Sequence, residues 1–242
     1  MTPNRAEPLA TWSGQALVVG AGGIGQALAS ALTLQAPGLQ VHTAGPVRGE
    51  WRLDLSSDTS LADFIAAHAC LLRPLRLVIC CAGLLHGSDL QPEKRLAQVR
   101  RQALERSFAV NAFGPLLLAQ ALEPLLERGH PLHFASLSAR VGSIADNHLG
   151  GWYAYRAAKA AQNQLLRTLA LEWRRRLPLA TVTLLHPGTT ATDLSAPFRS
   201  GVAAERLFKP EQAALQLLEV LARQTPEQSG AFLAWDGQPI PW

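Results

Sequence analysis

The feature that most constrains this chain is a strict alternation of short apolar runs with segments of helical period. Residues 15–19, 39–43, 75–82, 132–137, 179–185 and 231–235 read as strands, and residues 24–34, 61–70, 92–126, 152–177 and 210–223 read as helices. The run LRLVICCA at 75–82 is almost continuously apolar, as in a strand buried on both faces. Right-handed crossovers place the intervening helices on both sides of a parallel sheet. The expected fold is therefore α/β, a single Rossmann-type, doubly wound parallel sheet with helices on both faces. The helix over 92–126 is expected to be interrupted near Gly114 and Pro115. With 242 residues, 48% of them hydrophobic, the chain accommodates one large core. We expect a tail over residues 1–14 and one domain over 15–242.

The first strand runs straight into a glycine cluster. Gly20, Gly22 and Gly25 form G-x-G-x-x-G, with Gly23 and Ile24 between them, at the start of the first helix. In that context the first glycine permits a tight turn, the second lets backbone approach a pyrophosphate, and the third lets helix and strand pack closely. A site for NAD normally carries an acidic residue roughly 20 positions further on, which binds the ribose hydroxyls. Here no Asp or Glu stands between Glu7 and Glu50, and the only basic residue in that stretch is Arg48. A guanidinium past the second strand suits a 2′-phosphate, which favours NADP(H) over NAD(H).

Other classes find less support. The net charge is +4, and its basic groups (Lys94, Arg95, Arg100, Arg101 and Arg106, then residues 174–176) fall on expected helices without interleaved aromatics. They read as solvated helix faces, not a nucleic-acid site. Cys70, Cys80 and Cys81 lack the spacing and histidine partners of a zinc site and are expected as reduced thiols, with no metal. Residues 1–14 have no apolar leader segment, and no run of roughly 18 apolar residues suggests a membrane span. The expected location is the cytoplasm.

Tyr155 and Lys159 stand four apart on an expected helix, so both project from one face. A phenol with a pKa near about 10 is a poor base at neutral pH, and an adjacent ammonium favours its ionised form. Such a pair can exchange a proton with a substrate oxygen. The same spacing also occurs as an ordinary surface pair.

Taken in order, these motifs resemble those of the short-chain dehydrogenase/reductase family, in particular its bacterial carbonyl-reductase-like, C-factor-like branch. The resemblance spans essentially the whole chain. It rests on the glycine turn, Asp54-Leu55 on the adenine side, Cys81-Ala82-Gly83, Asn111 in VNAFGP, a serine segment, Tyr155-x-x-x-Lys159, and Pro187-Gly188 with Thr192. It implies an oxidoreductase that interconverts a carbonyl, an aldehyde or ketone, and an alcohol. Tyr155 is then the acid/base. Lys159 lowers the tyrosine pKa and holds the nicotinamide ribose, and Asn111 kinks its helix and positions a water of a proton relay. Thr190 and Thr192 hold the carboxamide. The resemblance also implies a homodimer or homotetramer formed through the helices at 92–126 and 152–177.

The chain departs from the family pattern in places. Its phosphate turn is one residue shorter, and Cys80 and Cys81 replace two asparagines. The position 13 before Tyr155, where the family commonly has its serine, is Gly142. Ser138, 17 before Tyr155, is taken as the catalytic serine, with Ser136 the alternative. Substrate selection is expected in loops 84–92 and 193–209, at the carboxyl ends of strands, where His86, Leu194 and Phe198 suggest a partly apolar pocket. The resemblance to C-factor also leaves open a catalytically weak nucleotide-binding signalling protein.

Overall fold

The computed structural model describes residues 7–87, 89–201 and 203–242, so residues 1–6 of the expected tail, Ser88 in one substrate loop and Val202 in the other lie outside the described residues. Seven strands form one sheet: β1 (Ser13–Val19), β2 (Gly38–Gly45), β3 (Trp51–Arg52), β4 (Leu75–Cys80), β5 (Leu132–Leu137), β6 (Ala180–His186) and, last in the chain, Ala231–Ala234. A separate two-stranded pair, β7 (Thr189–Thr190) and β8 (Leu207–Phe208), precedes that last strand, which is therefore β9. The sheet order is β3-β2-β1-β4-β5-β6-β9 with every neighbour parallel. From β1 the chain winds outward to β3 and then returns to β4 on the other side of β1. The carboxyl ends of β1 and β4 therefore flank the switch point at which such sheets open a crevice.

Strand alternation divides the interior in two. Leu17 and Val19 of β1, with Val78 and Cys80 of β4, face a core shared with α2 (Asp58–His68) and two later helices. Ala16 and Val18, with Leu77 and Ile79, face a second core built on α1 (Gly23–Gln35) and a C-terminal helix, Pro210–Ala222. β4 and β5 are buried at every residue, as expected of central parallel strands.

Between β4 and β5 the structure departs from one long helix. Residues 92–100 hold only the short turn Leu96–Gln98. The helix starts at α3 (Arg101–Phe108), widens into a π turn over Ala109–Phe113, and continues as α4 (Gly114–Leu122). The interruption thus centres on Asn111, not on Gly114 and Pro115. Pro115 sits in the first turn of α4, where the wider turn relieves the clash its ring would make with a carbonyl four residues back. The whole segment, Arg101–Leu125, is long and apolar enough by length and composition to cross a membrane, but here Leu118, Ala119 and Leu122 pack in the first core. α5 (Tyr153–Arg176) and α6 (Pro210–Ala222) complete the layers.

The expected tail is part of the fold from residue 7 onward. Trp12 is buried at 1% exposure, between the guanidinium of Arg76 at 4.0 Å and the His133 ring at 4.5 Å, and its Nε1 donates to the Glu7 carbonyl. The indole packs at the amino-terminal end of the sheet, where β1 begins at Ser13 and not at residue 15 because Ser13 and Gly14 pair with Gly38 and Leu39 of β2. Trp12→Ala should cost about 3–5 kcal/mol of unfolding free energy, read from urea denaturation. A loss below about 1 kcal/mol would show that this packing does not hold the sheet end.

Candidate active site

A cleft of about 480 Å³ opens at the carboxyl ends of β1 and β4. The glycine turn forms one wall. Gly20 has φ 94°, and a Cβ there would stand 2.6 Å from the Ala82 backbone nitrogen; a Cβ on Gly25 would collide with the Gly20 carbonyl. A Cβ on Gly22 would meet nothing within 4 Å, because it would project into open space. α1 starts here with Gly22 as its N-cap, no capping side chain and no acidic residue in its first turn. Its leading N–H groups and positive dipole end are free to meet an anion. These observations fit a dinucleotide pyrophosphate against Gly22 and Gly23.

Arg48 lies on the same cleft, in the loop after β2, with Nη1 3.7 Å from Asp193 Oδ2. Both side chains are more than half exposed, so this contact is weak and the guanidinium remains available. Cys81, Ala82 and Gly83 form the floor. Burial pushes the Cys81 thiol well up and the Cys80 thiol up, so both stay protonated and unreactive.

At the other end stand Tyr155, Lys159 and Ser138, all on the cleft wall. Tyr155 is 8% exposed, and among the described residues nothing hydrogen-bonds its hydroxyl. Burial drives its pKa well above the ordinary phenol value, whereas a lowering by Lys159 was expected. The Lys159 ammonium is 5.8 Å from the tyrosine ring centre, and desolvation outweighs it. Burial also lowers Lys159 from 10.5 to about 8. Its Nζ donates to the Leu137 carbonyl at 2.7 Å and to Gln162 Oε1 at 2.9 Å. Ser138 Oγ donates to Asn163 Oδ1 at 2.6 Å. Ser136 is buried away from the cleft and accepts from Gln162 Nε2 at 2.7 Å, so of the two serines only Ser138 reaches the cleft.

The structure therefore brings together Gly20, Gly22, Gly23, Ile24, Gly25, Arg48, Cys81, Ala82, Gly83, Ser138, Tyr155, Lys159, Pro187 and Thr192 around one cleft. Five expected residues lie off its wall. Asp54 accepts from the Ser56 backbone and hydroxyl, which holds its carboxyl below the usual range, and Leu55 packs on Gly114. Asn111 is buried in the π turn, where Nδ2 donates to the Leu84 carbonyl at 2.8 Å and Oδ1 accepts from the Leu84 N–H at 2.9 Å. It pins the loop after β4. Gly188 lies against the Phe208 ring, and Thr190 Oγ1 donates to the Pro187 carbonyl.

Several contributors escaped the sequence reading. Glu93 is buried under the start of α5, where Oε2 accepts from Ala154 N and its carbonyl accepts from Trp152 N. Trp152, the left-handed N-cap of α5 (φ 53°), touches both Tyr155 and Phe198, and Phe198 in turn meets His86. His86 Nε2 also lies 3.2 Å from the Asp193 carbonyl, joining the loops at 84–92 and 193–209 across the cleft. Gln162, three residues past Lys159, was detectable by its helical spacing.

Comparison with known proteins agrees with this geometry. The short chain dehydrogenase family profile matches residues 35–203. The chain is 35% identical over 148 residues to the C-signal protein of Myxococcus xanthus, covering 61% of this chain and 83% of that one. It is 38% identical over 141 residues to 1-hydroxy-2-glutathionyl-2-methyl-3-butene dehydrogenase of Rhodococcus sp. (strain AD45), covering 57% of this chain and 58% of the relative. NADPH-bound carbonyl reductase from chicken fatty liver superposes with a TM-score of 0.81 at 24% identity, over 95% of this chain and 99% of the other, a likeness of fold. With its parallel seven-stranded sheet, open glycine turn and matching profile, this chain belongs to the short-chain dehydrogenase/reductase family of oxidoreductases.

Proposed function

We propose that the protein interconverts a carbonyl, an aldehyde or ketone, and an alcohol with NADP(H), and that Tyr155 is its acid/base. One observation carries this reading: the unbonded Tyr155 hydroxyl, the Lys159 ammonium and the open glycine turn line a single cleft. When bound, NADPH supplies a hydride to the carbonyl carbon. Tyr155 Oη protonates the carbonyl oxygen. Burial keeps the phenol protonated at neutral pH but makes it a weaker acid, so proton donation depends on the nearby Lys159 charge. Lys159 holds its charge beside the phenol and offers an N–H to the ribose, while Ser138 orients the substrate oxygen. Thr192, with Pro187, bounds the carboxamide end.

The end of the cleft near Tyr155 is lined by His86 and Leu194, with the Trp152 and Phe198 rings packed behind Tyr155 and His86, which suits a carbonyl bearing an apolar substituent. Arg48 favours the 2′-phosphate, which would replace Asp193 as its partner and form a stronger, charge-assisted contact. The similarity to C-signal supports a second reading, a nucleotide-binding signalling protein without appreciable turnover. The cofactor assay below separates the two.

With a carbonyl panel and NADPH, Tyr155→Phe should lose about 10²- to 10⁴-fold in turnover while still binding NADPH. Unchanged turnover would overturn the assignment, and NADPH binding without any turnover in the parent would favour the signalling reading. Arg48→Ala should raise the Kd of NADPH about tenfold or more and leave that of NADH nearly unchanged, measured by cofactor fluorescence. Equal weakening of both would remove Arg48 as the discriminating group.

A further inference from the structure

Lys159 is only 2% exposed, so its charge depends on what the protein places around it. An ammonium has three N–H donors. The Leu137 carbonyl and Gln162 Oε1 accept two of them, which leaves one for the cleft. Gln162 is itself completely buried, and its Nε2 donates to Ser136 Oγ at 2.7 Å and to the Leu137 carbonyl at 3.3 Å. Those two contacts fix which way the amide faces, so its oxygen points to Lys159. The other groups facing the ammonium are the Cys80 and Cys81 thiols from the end of β4 and the Tyr155 ring on its own helix. Among the described residues, no carboxylate forms an ion pair with Lys159, and Gln162 is its only side-chain acceptor.

We propose that Gln162 is a positioning residue of this site: its amide directs the Lys159 ammonium and sustains its charge without cancelling the field at Tyr155. The inference rests on Lys159 being the cation that serves cofactor and tyrosine. A neutral acceptor suits that task. A carboxylate would stabilise the ammonium more but neutralise its effect on the phenol, and an apolar side chain would leave the ammonium more desolvated. Ser136, excluded from the cleft, finds its place here as the hydroxyl that holds the amide.

The sign of the pH dependence follows. The ammonium is present below its midpoint and is lost as pH rises through it, near 8 in the parent protein. Removing the Gln162 acceptor destabilises the charged form and lowers that midpoint, and a carboxylate at the same position raises it.

NADPH affinity of the full-length protein, measured by fluorescence between about pH 6 and 10.5, reads this directly and needs no turnover. Affinity should fall above about pH 8 in the parent, with the midpoint about one pH unit lower in Gln162→Met and about one higher in Gln162→Glu. Lys159→Met should abolish the alkaline loss. Unmoved midpoints in both Gln162 variants, with the loss abolished in Lys159→Met, would overturn the inference and leave the Lys159 assignment standing. A loss that persists in Lys159→Met would overturn that assignment and the inference with it. Should Gln162→Met fail to fold, the similarly sized Gln162→Glu decides alone: an upward shift supports the proposal and an unchanged midpoint overturns it.

Discussion

At the switch point of the sheet, the backbone of Gly20 approaches that of Ala82 so closely that no side chain fits between them. This contact joins the ends of β1 and β4, the two strands from which the chain winds in opposite directions. It allows the turn after β1 to fold over the sheet edge and start α1 with its N–H groups facing the cleft. Everything on the cofactor side depends on it. The open face at Gly22, the Cys81-Ala82-Gly83 floor and the placing of Thr192 beside Gly23 all follow from how tightly this corner turns.

The chemical side depends on α5. Its first turn is held from far away in the chain by Glu93, whose carboxyl accepts from Ala154 N and whose backbone carbonyl accepts from Trp152 N. These two contacts occupy N–H groups at the start of α5 and fix where Tyr155 emerges. One turn further, Lys159 is buried and held by Leu137 and Gln162. Burying a charged amine disfavours its charged form, as its lowered pKa shows. The same burial raises Tyr155, so at neutral pH the pair is a protonated phenol beside an ammonium.

Much of this architecture was legible in the sequence because period encodes burial. The nearly continuous apolar run at β4 read as a strand buried on both faces, and the alternation of strands with helices required crossovers on both sides of the sheet. The errors are tertiary in origin. Residues 92–100 have helix-compatible composition, but Glu93 is drawn beneath α5 and the helix begins only at Arg101. Trp12 looked like part of a tail because its partners, Arg76 and His133, are distant in sequence. The choice between Ser136 and Ser138 shows the limit most clearly. Ser136 lies in β5 and Ser138 just past its end, and that step of about 7 Å puts Ser138 in the cleft and Ser136 beneath it. Gln162 had the right spacing, but its meaning required Ser136, which only the fold brings to it.

The central claim is hydride transfer to a carbonyl carbon within this cleft, and isotope transfer tests it most directly. Purified protein incubated with NADPH carrying deuterium at the nicotinamide C4 and a panel of aldehydes and ketones should yield an alcohol bearing one deuterium on the former carbonyl carbon, by mass spectrometry. The label should come from one face of the nicotinamide only. Alcohol formed without label from either face, or cofactor bound with no alcohol formed from any carbonyl, would contradict the account.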